Sequence, residues 1–286
     1  MILDGHIHIA PGRVDSADFL RQTRAAEVEG GVLISLPPAS MVREGTIFAP
    51  EARLDNLLAW CEAGPGFQPF YWLDPTEDNA IGQVALAVDR GVMGFKVICD
   101  HFAPNHPRAL EVFRAIACTK RPVLFHCGIL WDGKPSSANS RPVGFEELLQ
   151  VDGLRFALAH IGWPWCDELL AVYGKLLNAA ARRPQAPEMF IDITPGTPPI
   201  YRREALTKLF GIGYDVQDNV IFGSDCNTAA YNSEWVREWV ARDRAILEEL
   251  EQPAAVANKV FGANLERFLG LRPGPQRKVF PRVAQS

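Results

Sequence analysis

The sequence lacks the features that would direct it to a membrane, a nucleic acid or an oxidising compartment. No apolar run is long enough to span a bilayer. The 29 Lys and Arg against 34 Asp and Glu leave a net charge of -5 and no basic stripe that would attract nucleic acid or an anionic membrane. The six cysteines are scattered without a Cys-x-x-Cys pair, as expected for free thiols in a reducing cytoplasm. We therefore expect a cytoplasmic protein with neither membrane nor nucleic acid as partner.

Two amino-terminal signatures are also missing. The opening residues, MILDGHIHI, resemble a strand rather than the basic and apolar regions of a signal peptide, so no signal peptide is expected. No Gly-rich phosphate turn follows this strand, which disfavours an open, doubly wound sheet that binds a dinucleotide. With 48% hydrophobic residues, the 286-residue chain can bury a sizeable core. No linker or repeat divides it, and we expect one domain over residues 1–286.

Short apolar runs alternate with helical stretches along the chain. Eight runs are near-continuously apolar, as expected for strands buried on both faces of a parallel sheet: 2–9, 30–36, 68–73, 91–98, 121–127, 155–161, 189–194 and 219–225. Stretches with helical spacing of apolar residues cover 16–29, 51–63, 77–90, 107–119, 164–182, 202–210 and 233–250. Only the fifth connection, 127–150, is mostly loop before a short helix. This alternation predicts an α/β fold, a closed (β/α)8 TIM barrel.

Polar residues interrupt the first predicted strand at every second position. Side chains two residues apart share a face of a strand, so Asp4, His6 and His8 are predicted to point into the barrel. By the same alternation Leu3 is predicted to point outwards, towards the helices. The two imidazoles would then lie near the carboxyl end of strand one, where active sites of this fold are found.

Three further polar residues end later strands. His126 ends strand five, His160 ends strand six and Asp225 ends strand eight. With the pair from strand one, four imidazoles and a carboxylate are therefore expected to converge on one rim. Nitrogen and carboxylate ligands suit zinc, and manganese or iron less exclusively. A catalytic zinc keeps a position for water and lowers the pKa of that water to about 7. The sequence predicts a divalent metal site, with Zn²⁺ preferred and Mn²⁺ as the alternative.

The same residues lie in short motifs of a known family. The segments DGHIH, GFKV, FHCG, AHIG and FGSD resemble the amidohydrolase superfamily, as does the closing VFGANLERFLG with Asn264. Within the superfamily the chain is similar to the amidohydrolase-related group, which includes aminocarboxymuconate semialdehyde decarboxylase and many lactone hydrolases. The resemblance runs from residue 2 to about residue 271 and implies the distorted barrel of that superfamily. It is only weakly informative about the substrate.

The resemblance also implies roles for the residues in these motifs. His6 and His8 would bind the metal from strand one, and His126 and Asp225 would complete the set. His160 would be a weaker ligand that polarises the bound water or the substrate. Asp225 would also accept a proton from the water, because a carboxylate within hydrogen-bond reach can act as a base.

Two further residues of the predicted strands are expected near this centre. Lys96, in strand four, would bridge two metal ions if it were carboxylated, as the resemblance implies for two-metal members. The alternative is an ammonium group that neutralises nearby carboxylates or the substrate. Asp192, in strand seven, is expected to be a hydrogen-bonded neighbour of a ligand rather than a ligand itself.

Loops are expected to select the substrate. In the loop after strand five, Arg141 could bind a substrate carboxylate through two parallel hydrogen bonds, or be solvated or paired with a nearby acid. Asn139 and Trp131 are further candidates in the same loop. Trp163 would form an apolar wall of the pocket or anchor the following helix. His101, in the loop after strand four, is a candidate for substrate binding and proton transfer.

Two classes of function fit these features. The first is a metal-dependent hydrolase of a C–O or C–N bond in a small carboxylate-bearing lactone, ester or amide. Its alternative within catalysis is non-oxidative decarboxylation of an aromatic or unsaturated acid. The second class is a barrel that binds a metal or ligand without catalysis, which the intact ligand set disfavours. The many aromatic residues and the resemblance also lead us to expect a homodimer.

Overall fold

A computed structural model describes residues 1–12, 16–42 and 45–273. The domain expected over residues 1–286 therefore includes segments 13–15, 43–44 and 274–286 that lie outside the described residues. The strands form one parallel sheet in the order β8-β7-β6-β5-β4-β3-β2-β1-β9. Their bounds are β1 Ile2–His8, β2 Val28–Ile34, β3 Phe67–Trp72, β4 Gly94–Val97, β5 Val123–Phe125, β6 Arg155–Leu158, β7 Glu188–Asp192, β8 Val220–Ile221 and β9 Cys226–Asn227.

Helices follow the strands along the chain. The α-helices are α1 Ser16–Ala25, α2 Pro50–Ala63, α3 Ala80–Asp89, α4 Pro107–Cys118, α5 Cys166–Arg182, α6 Pro199–Gly211, α7 Ser233–Glu249, α8 Ala254–Asn258 and α9 Asn264–Leu269. Short 3-10 segments cover Ala39–Met41, Ser137–Ser140, Pro142–Gln150, Ala159–Gly162 and Thr228–Ala230, and a π-helical turn, Lys259–Ala263, joins α8 to α9. The short helix expected in the fifth connection is thus 3-10 in character. Among the described residues, the helices are too short or too polar to cross a membrane.

The sheet closes because the segment that carries β8 and β9 returns alongside β1. The backbone N–H of Gly5 donates to the carbonyl of Phe222 over 2.9 Å, and the N–H of Asp225 donates to the carbonyl of His6 over 2.9 Å. β9 then pairs with the end of β1. The fold is the predicted (β/α)8 barrel in a distorted form, since the eighth strand expected over 219–225 is split into β8 and β9.

Apolar side chains form two layers on either side of the strands. The outer layer packs the strands on the helices, whereas the inner layer fills the barrel and includes Val32, Phe70, Leu124, Ala157, Phe190 and Ile221 together with Leu265 and Phe268 of α9. Asn264 Nδ2 donates to the carbonyls of Gln217 at 2.9 Å and Val220 at 2.7 Å, at the amino end of β8. Helix α9 therefore closes the end of the barrel opposite the carboxyl ends of the strands.

The alternation predicted for β1 is interrupted at Gly5. The pairing of β1 with β2 shifts register after Asp4. Leu3 packs in the inner layer, whereas Asp4 accepts a hydrogen bond of 2.9 Å from the hydroxyl of Tyr231, a residue of the outer layer. A Cβ at Gly5 would lie 2.9 Å from the carbonyl oxygen of Phe222, so this close approach favours glycine. The predictions that Asp4 faces inwards and Leu3 outwards were wrong, because the irregularity exchanges the two faces.

Two of the element boundaries that differ from those expected have a clear local cause. The helix expected over 16–29 ends at Ala25, because Val28 already pairs with Ile2 in the sheet. The strand expected over 155–161 ends at Leu158, and a left-handed turn follows in which His160 has φ 59° and Ile161 has φ 47°. His160 therefore extends from this turn rather than from the strand itself.

Candidate metal centre

Three predicted ligands lie together at the carboxyl ends of β1 and β8. His6 Nε2 is 3.6 Å and His8 Nε2 is 3.5 Å from Asp225 Oδ1. One ligand atom from each of these three residues lies within 4.8 Å of the other two. The exposed fraction of the side chain increases from 1% for His6 through 26% for His8 to 40% for Asp225. The cluster thus opens towards solvent on the side of the carboxylate.

Asp192 fixes the orientation of the innermost imidazole. Its Oδ2 lies 2.9 Å from His6 Nδ1, and its Oδ1 accepts the backbone N–H of Thr194 over 2.7 Å. A carboxylate only accepts, so Nδ1 carries the proton and Nε2 presents its lone pair to the centre. Partners of this kind commonly orient metal-binding histidines. Asp192 has the hydrogen-bonding position expected for it.

The other two predicted histidines continue the row of imidazoles. The ring centroids of His6 and His8 are 5.3 Å apart, those of His6 and His160 5.4 Å, and those of His160 and His126 4.9 Å. The ring of His160 lies against Gly196, and a hydrogen bond with the backbone of Thr194 acts to raise its pKa. The loop after β7 therefore holds this imidazole in place beside His6.

His126 is turned differently from the three clustered ligands. Its Nε2 lies 3.1 Å from the carbonyl oxygen of Ile129. Because a carbonyl only accepts, Nε2 carries the proton and Nδ1 is the nitrogen left for a metal. In the described part of the chain His126 is not among the residues whose ligand atoms gather within 4.8 Å. Its role as a ligand stays a prediction.

Lys96 reaches the same centre from β4. Phe95 and Val97 pack in the outer layer, so Gly94 and Lys96 face inwards. Lys96 Nζ lies 3.2 Å from His6 Nε2. Burial lowers the pKa of this ammonium to about 8, although the negative charge of Asp225 acts in the opposite direction.

The electrostatics of the centre keep His6, His126 and His160 neutral. Burial, with the positive charge of Lys96, lowers the pKa of His6 to about 4. Burial also lowers the pKa of His126 well below its usual range and lowers that of His160. Neutral imidazoles are the form that binds metals, so no proton has to be removed from these rings near neutral pH.

The carboxylates of the centre are ionised. Burial acts to raise the pKa of Asp225, but the adjacent imidazoles of His8 and His6 outweigh it and lower the pKa. The same opposition acts at Asp192, where the hydrogen bond from His6 lowers the pKa against the effect of burial. Asp225 therefore carries its charge at neutral pH, both to bind a cation and to accept a proton.

Asp4, which the strand pattern predicted to face inwards, supports the centre from the outer layer. Asp4 Oδ1 accepts the backbone N–H of Ser224 over 2.9 Å and that of His6 over 3.2 Å, and Oδ2 accepts the hydroxyl of Tyr231. Burial raises the pKa of Asp4 to about 6. The side chain ties the first strand to the turn before Asp225, which has φ 61°. Tyr231 lies outside the predicted strands, so no local signal marked it.

The predicted carboxylate clamp is engaged within the protein. Arg141 Nε donates to Glu168 Oε1 at 2.7 Å, and its guanidinium lies 5.3 Å from the centre of the Trp165 ring. The side chains of Arg141 and Glu168 are partly exposed, with exposed fractions of 48% and 28%. Pairing with an acid was the alternative considered for Arg141, and binding of a substrate would require exchange of this partner.

The remaining loop candidates occupy different environments. Asn139 Nδ2 donates to the carbonyl of Asp100 over 3.1 Å, while Trp131 is 79% exposed. Trp163 is half-buried, with its ring 6.4 Å from that of Tyr201, and borders a groove of about 510 Å³ between the starts of α5 and α6. These positions leave the roles of the three residues in substrate binding as predictions.

His101 lies between two carboxylates at the ends of β3 and β4. Its Nε2 is 3.4 Å from Asp74 Oδ2 and 3.1 Å from the hydroxyl of Thr76, and its Nδ1 contacts Asp100 Oδ1. Two flanking acids disfavour the binding of a substrate carboxylate at this imidazole. The arrangement suits proton transfer better.

This donor set fits a divalent ion. Two imidazoles and an ionised carboxylate present ligand atoms to one point, and one imidazole is oriented by Asp192. A (β/α)8 barrel with such a cluster at the carboxyl ends of its strands defines the class of barrel enzymes that includes metal-assisted hydrolases. The chain belongs to the amidohydrolase family, whose model matches residues 4–271.

Solved structures with the same fold are described as enzymes of different reactions. One, from Acinetobacter baumannii, is described as a probable 2-pyrone-4,6-dicarboxylic acid hydrolase with bound citric acid; it has a TM-score of 0.63 and 13% identity over 94% of this chain and 99% of that chain. The 2,6-dihydroxybenzoate decarboxylase from Rhizobium has a TM-score of 0.61 and 15% identity over 94% and 98%. The dihydroorotase from Campylobacter jejuni has a TM-score of 0.58 and 16% identity over 96% and 84%. A search of curated proteins gave no match.

Proposed function

We propose that the protein is a metal-dependent hydrolase that cleaves a C–O or C–N bond in a small lactone, ester or amide bearing a carboxylate. The observation that carries the proposal is the cluster of His6, His8 and Asp225, whose ligand atoms lie within 4.8 Å of one another. Zn²⁺ is the proposed ion, with Mn²⁺ as the alternative, because both accept nitrogen and carboxylate ligands.

The residues of the centre have distinct proposed roles. A bound divalent ion would supply Lewis-acid polarisation of the attacked carbonyl and of water. Asp225 is ionised and exposed towards the open side, where it can accept a proton from the attacking water. The imidazole of His160, whose ring centroid lies 5.4 Å from that of His6, is proposed to hydrogen-bond to the substrate or to the water. His126 is proposed as a further ligand through Nδ1.

The loops around the centre are proposed to bind the rest of the substrate. Arg141 would exchange Glu168 for the substrate carboxylate, a planar group that can accept the same hydrogen bonds from Nε and Nη2. Asn139, Trp131 and Trp163 would contact the substrate body, and His101 would assist proton transfer. A homodimer in the cytoplasm is the proposed setting.

Decarboxylation of an aromatic acid is the second candidate. It is favoured by the likeness to 2,6-dihydroxybenzoate decarboxylase, whose fold this chain matches about as well as that of the pyrone hydrolase. At this level of identity the likeness concerns the fold alone, so the two reactions have to be separated by experiment.

The test compares both reactions in one protein preparation. Metal-stripped protein, reloaded with Zn²⁺ or Mn²⁺, is assayed with muconolactone-type compounds and with dihydroxybenzoates, and isotopically heavy water is traced into the product. Heavy oxygen in the product without release of carbon dioxide supports the hydrolase. Carbon dioxide release without heavy oxygen supports the decarboxylase.

A matched pair of variants ties either activity to the centre. Asp225→Asn removes the proposed base and ligand, whereas Asp167→Asn removes an exposed carboxylate that pairs with Lys208. We expect the first to lose about 100-fold or more in kcat and the second to stay near the wild-type value. Full activity of Asp225→Asn, or of metal-stripped protein, would contradict the proposal.

A further inference from the structure

We propose that Lys96 competes with the metal ion for His6: in the metal-free protein its ammonium group binds the Nε2 lone pair, and it has to leave that atom before a metal can bind. The inference rests on the proposed metal centre and concerns its regulation. It assigns Lys96 an effect on metal affinity opposite in sign to that of a carboxylated, metal-bridging lysine.

The first step is that His6 has one lone pair to offer. Nδ1 uses its proton for Asp192 Oδ2 at 2.9 Å, so the lone pair lies on Nε2. Lys96 Nζ lies 3.2 Å from that nitrogen, and an ammonium group can only donate to it. A zinc ion would bind the same lone pair at about 2.0–2.1 Å. The ammonium and the ion therefore cannot occupy Nε2 together.

The second step is that Lys96 cannot easily withdraw. Lys96 is 1% exposed and extends into the barrel from β4, so bulk water does not solvate its ammonium group at this position. Asp225 and Asp192 are the negative charges that attract it within the centre. When a divalent ion binds, the ammonium has to move towards these carboxylates while it is repelled by the ion. The displacement of the ammonium from Nε2 and its repulsion by the ion both weaken metal binding.

A carboxylated Lys96 would act in the other direction. It would add a negative ligand, and its removal would weaken metal binding and abolish any dependence on bicarbonate. The two models thus make opposite predictions for one substitution, in a measurement that does not require activity.

The experiment measures the Kd for Zn²⁺ by competition with a chromophoric chelator, using metal-stripped full-length protein with and without added bicarbonate. Lys96→Met keeps the length of the side chain and removes the charge. Lys208→Met is the matched control, because Lys208 is exposed and pairs with Asp167 and Glu204, each over 3.0 Å. We expect Lys96→Met to bind Zn²⁺ about tenfold more tightly than the wild type, because substitution of a residue that contacts a metal ligand changes metal affinity by about this factor. Lys208→Met should bind Zn²⁺ as the wild type does.

Each outcome decides the inference. Tighter Zn²⁺ binding by Lys96→Met than by the wild type supports the inference. Binding by Lys96→Met alone, with none by the wild type, supports it as well. That second result would also count against a resident metal in the wild type. Equal or weaker binding by Lys96→Met, or bicarbonate-dependent binding by the wild type, overturns it while the proposed hydrolase stands. Absence of binding in both proteins overturns both proposals. Circular dichroism checks folding, and Lys96→Gln replaces the Met variant if that variant does not fold.

Discussion

Asp192 Oδ2 and His6 Nδ1 are joined by a hydrogen bond of 2.9 Å in which both side chains are 1% exposed. The bond connects β7 to β1 across the inside of the barrel, and it determines which nitrogen of the innermost histidine faces the candidate metal centre. The negative charge on Asp192 also increases the basicity of that ring. The residue that orients the ligand thus lies 186 positions away in the sequence.

Substitution of Asp192 by Asn keeps the shape of the side chain and removes its charge. We expect the affinity for Zn²⁺ to fall by about 10- to 100-fold, because His6 loses the partner that fixes its tautomer. Asp167→Asn, at an exposed site on α5, is the control and is expected to leave the Kd unchanged. An unchanged Kd for Asp192→Asn in a chelator competition would show that the bond does not contribute to metal binding.

A methyl group at Gly5 would interfere with closure of the barrel. The added Cβ would lie 2.9 Å from the carbonyl oxygen of Phe222, which accepts the N–H of Gly5. We expect Gly5→Ala to lower the free energy of unfolding by about 1–3 kcal/mol, as overpacking typically does. At Gly211 an added Cβ meets no atom within 4 Å, so Gly211→Ala should stay within about 0.5 kcal/mol of the wild type. Urea unfolding measures both; equal effects would contradict the structural account.

Thiol reactivity is expected to differ between two cysteines on helices. Burial raises the pKa of Cys61 to about 12, so little of its thiolate is present in mildly alkaline buffer, whereas Cys118 is exposed. In iodoacetamide at about pH 8, Cys118 should be labelled first, because the thiolate is the nucleophile. Peptide mass spectrometry reads the two rates, and urea-unfolded protein, in which they should converge, is the control. Equal rates in the folded protein would contradict the burial of Cys61.

Arg141 is expected to affect substrate binding rather than chemistry. For a carboxylate-bearing substrate, Arg141→Met should raise KM by about tenfold or more with little change in kcat, because a charge-assisted hydrogen bond contributes about 1.5–3 kcal/mol. Glu168→Gln should lower KM, since it removes the competing partner. Arg203→Met, which breaks an exposed pair with Glu249, is the control. An unchanged KM in both Arg141 and Glu168 variants would remove Arg141 from the substrate site.

The strand pattern predicted the barrel well because each parallel strand is buried on both faces and is therefore apolar along its length. The same pattern misplaced Asp4, since an irregularity at Gly5 depends on the approach of Phe222 from the far end of the chain. It also extended strand six through His160, where the backbone turns left-handed after Leu158. Neither departure has a local apolar signal.

By itself the sequence determined the (β/α)8 fold, the family and the convergence of His6, His8 and Asp225 on one end of the barrel. These depend on periodicity and strand ends, which are local properties of the chain. Only the tertiary structure decided that Lys96 contacts His6, that Asp192 orients the same ring, and that Arg141 is held by Glu168. Such pairings join side chains on separate elements, and the distances between them follow from how the strands and loops pack rather than from spacing along the chain.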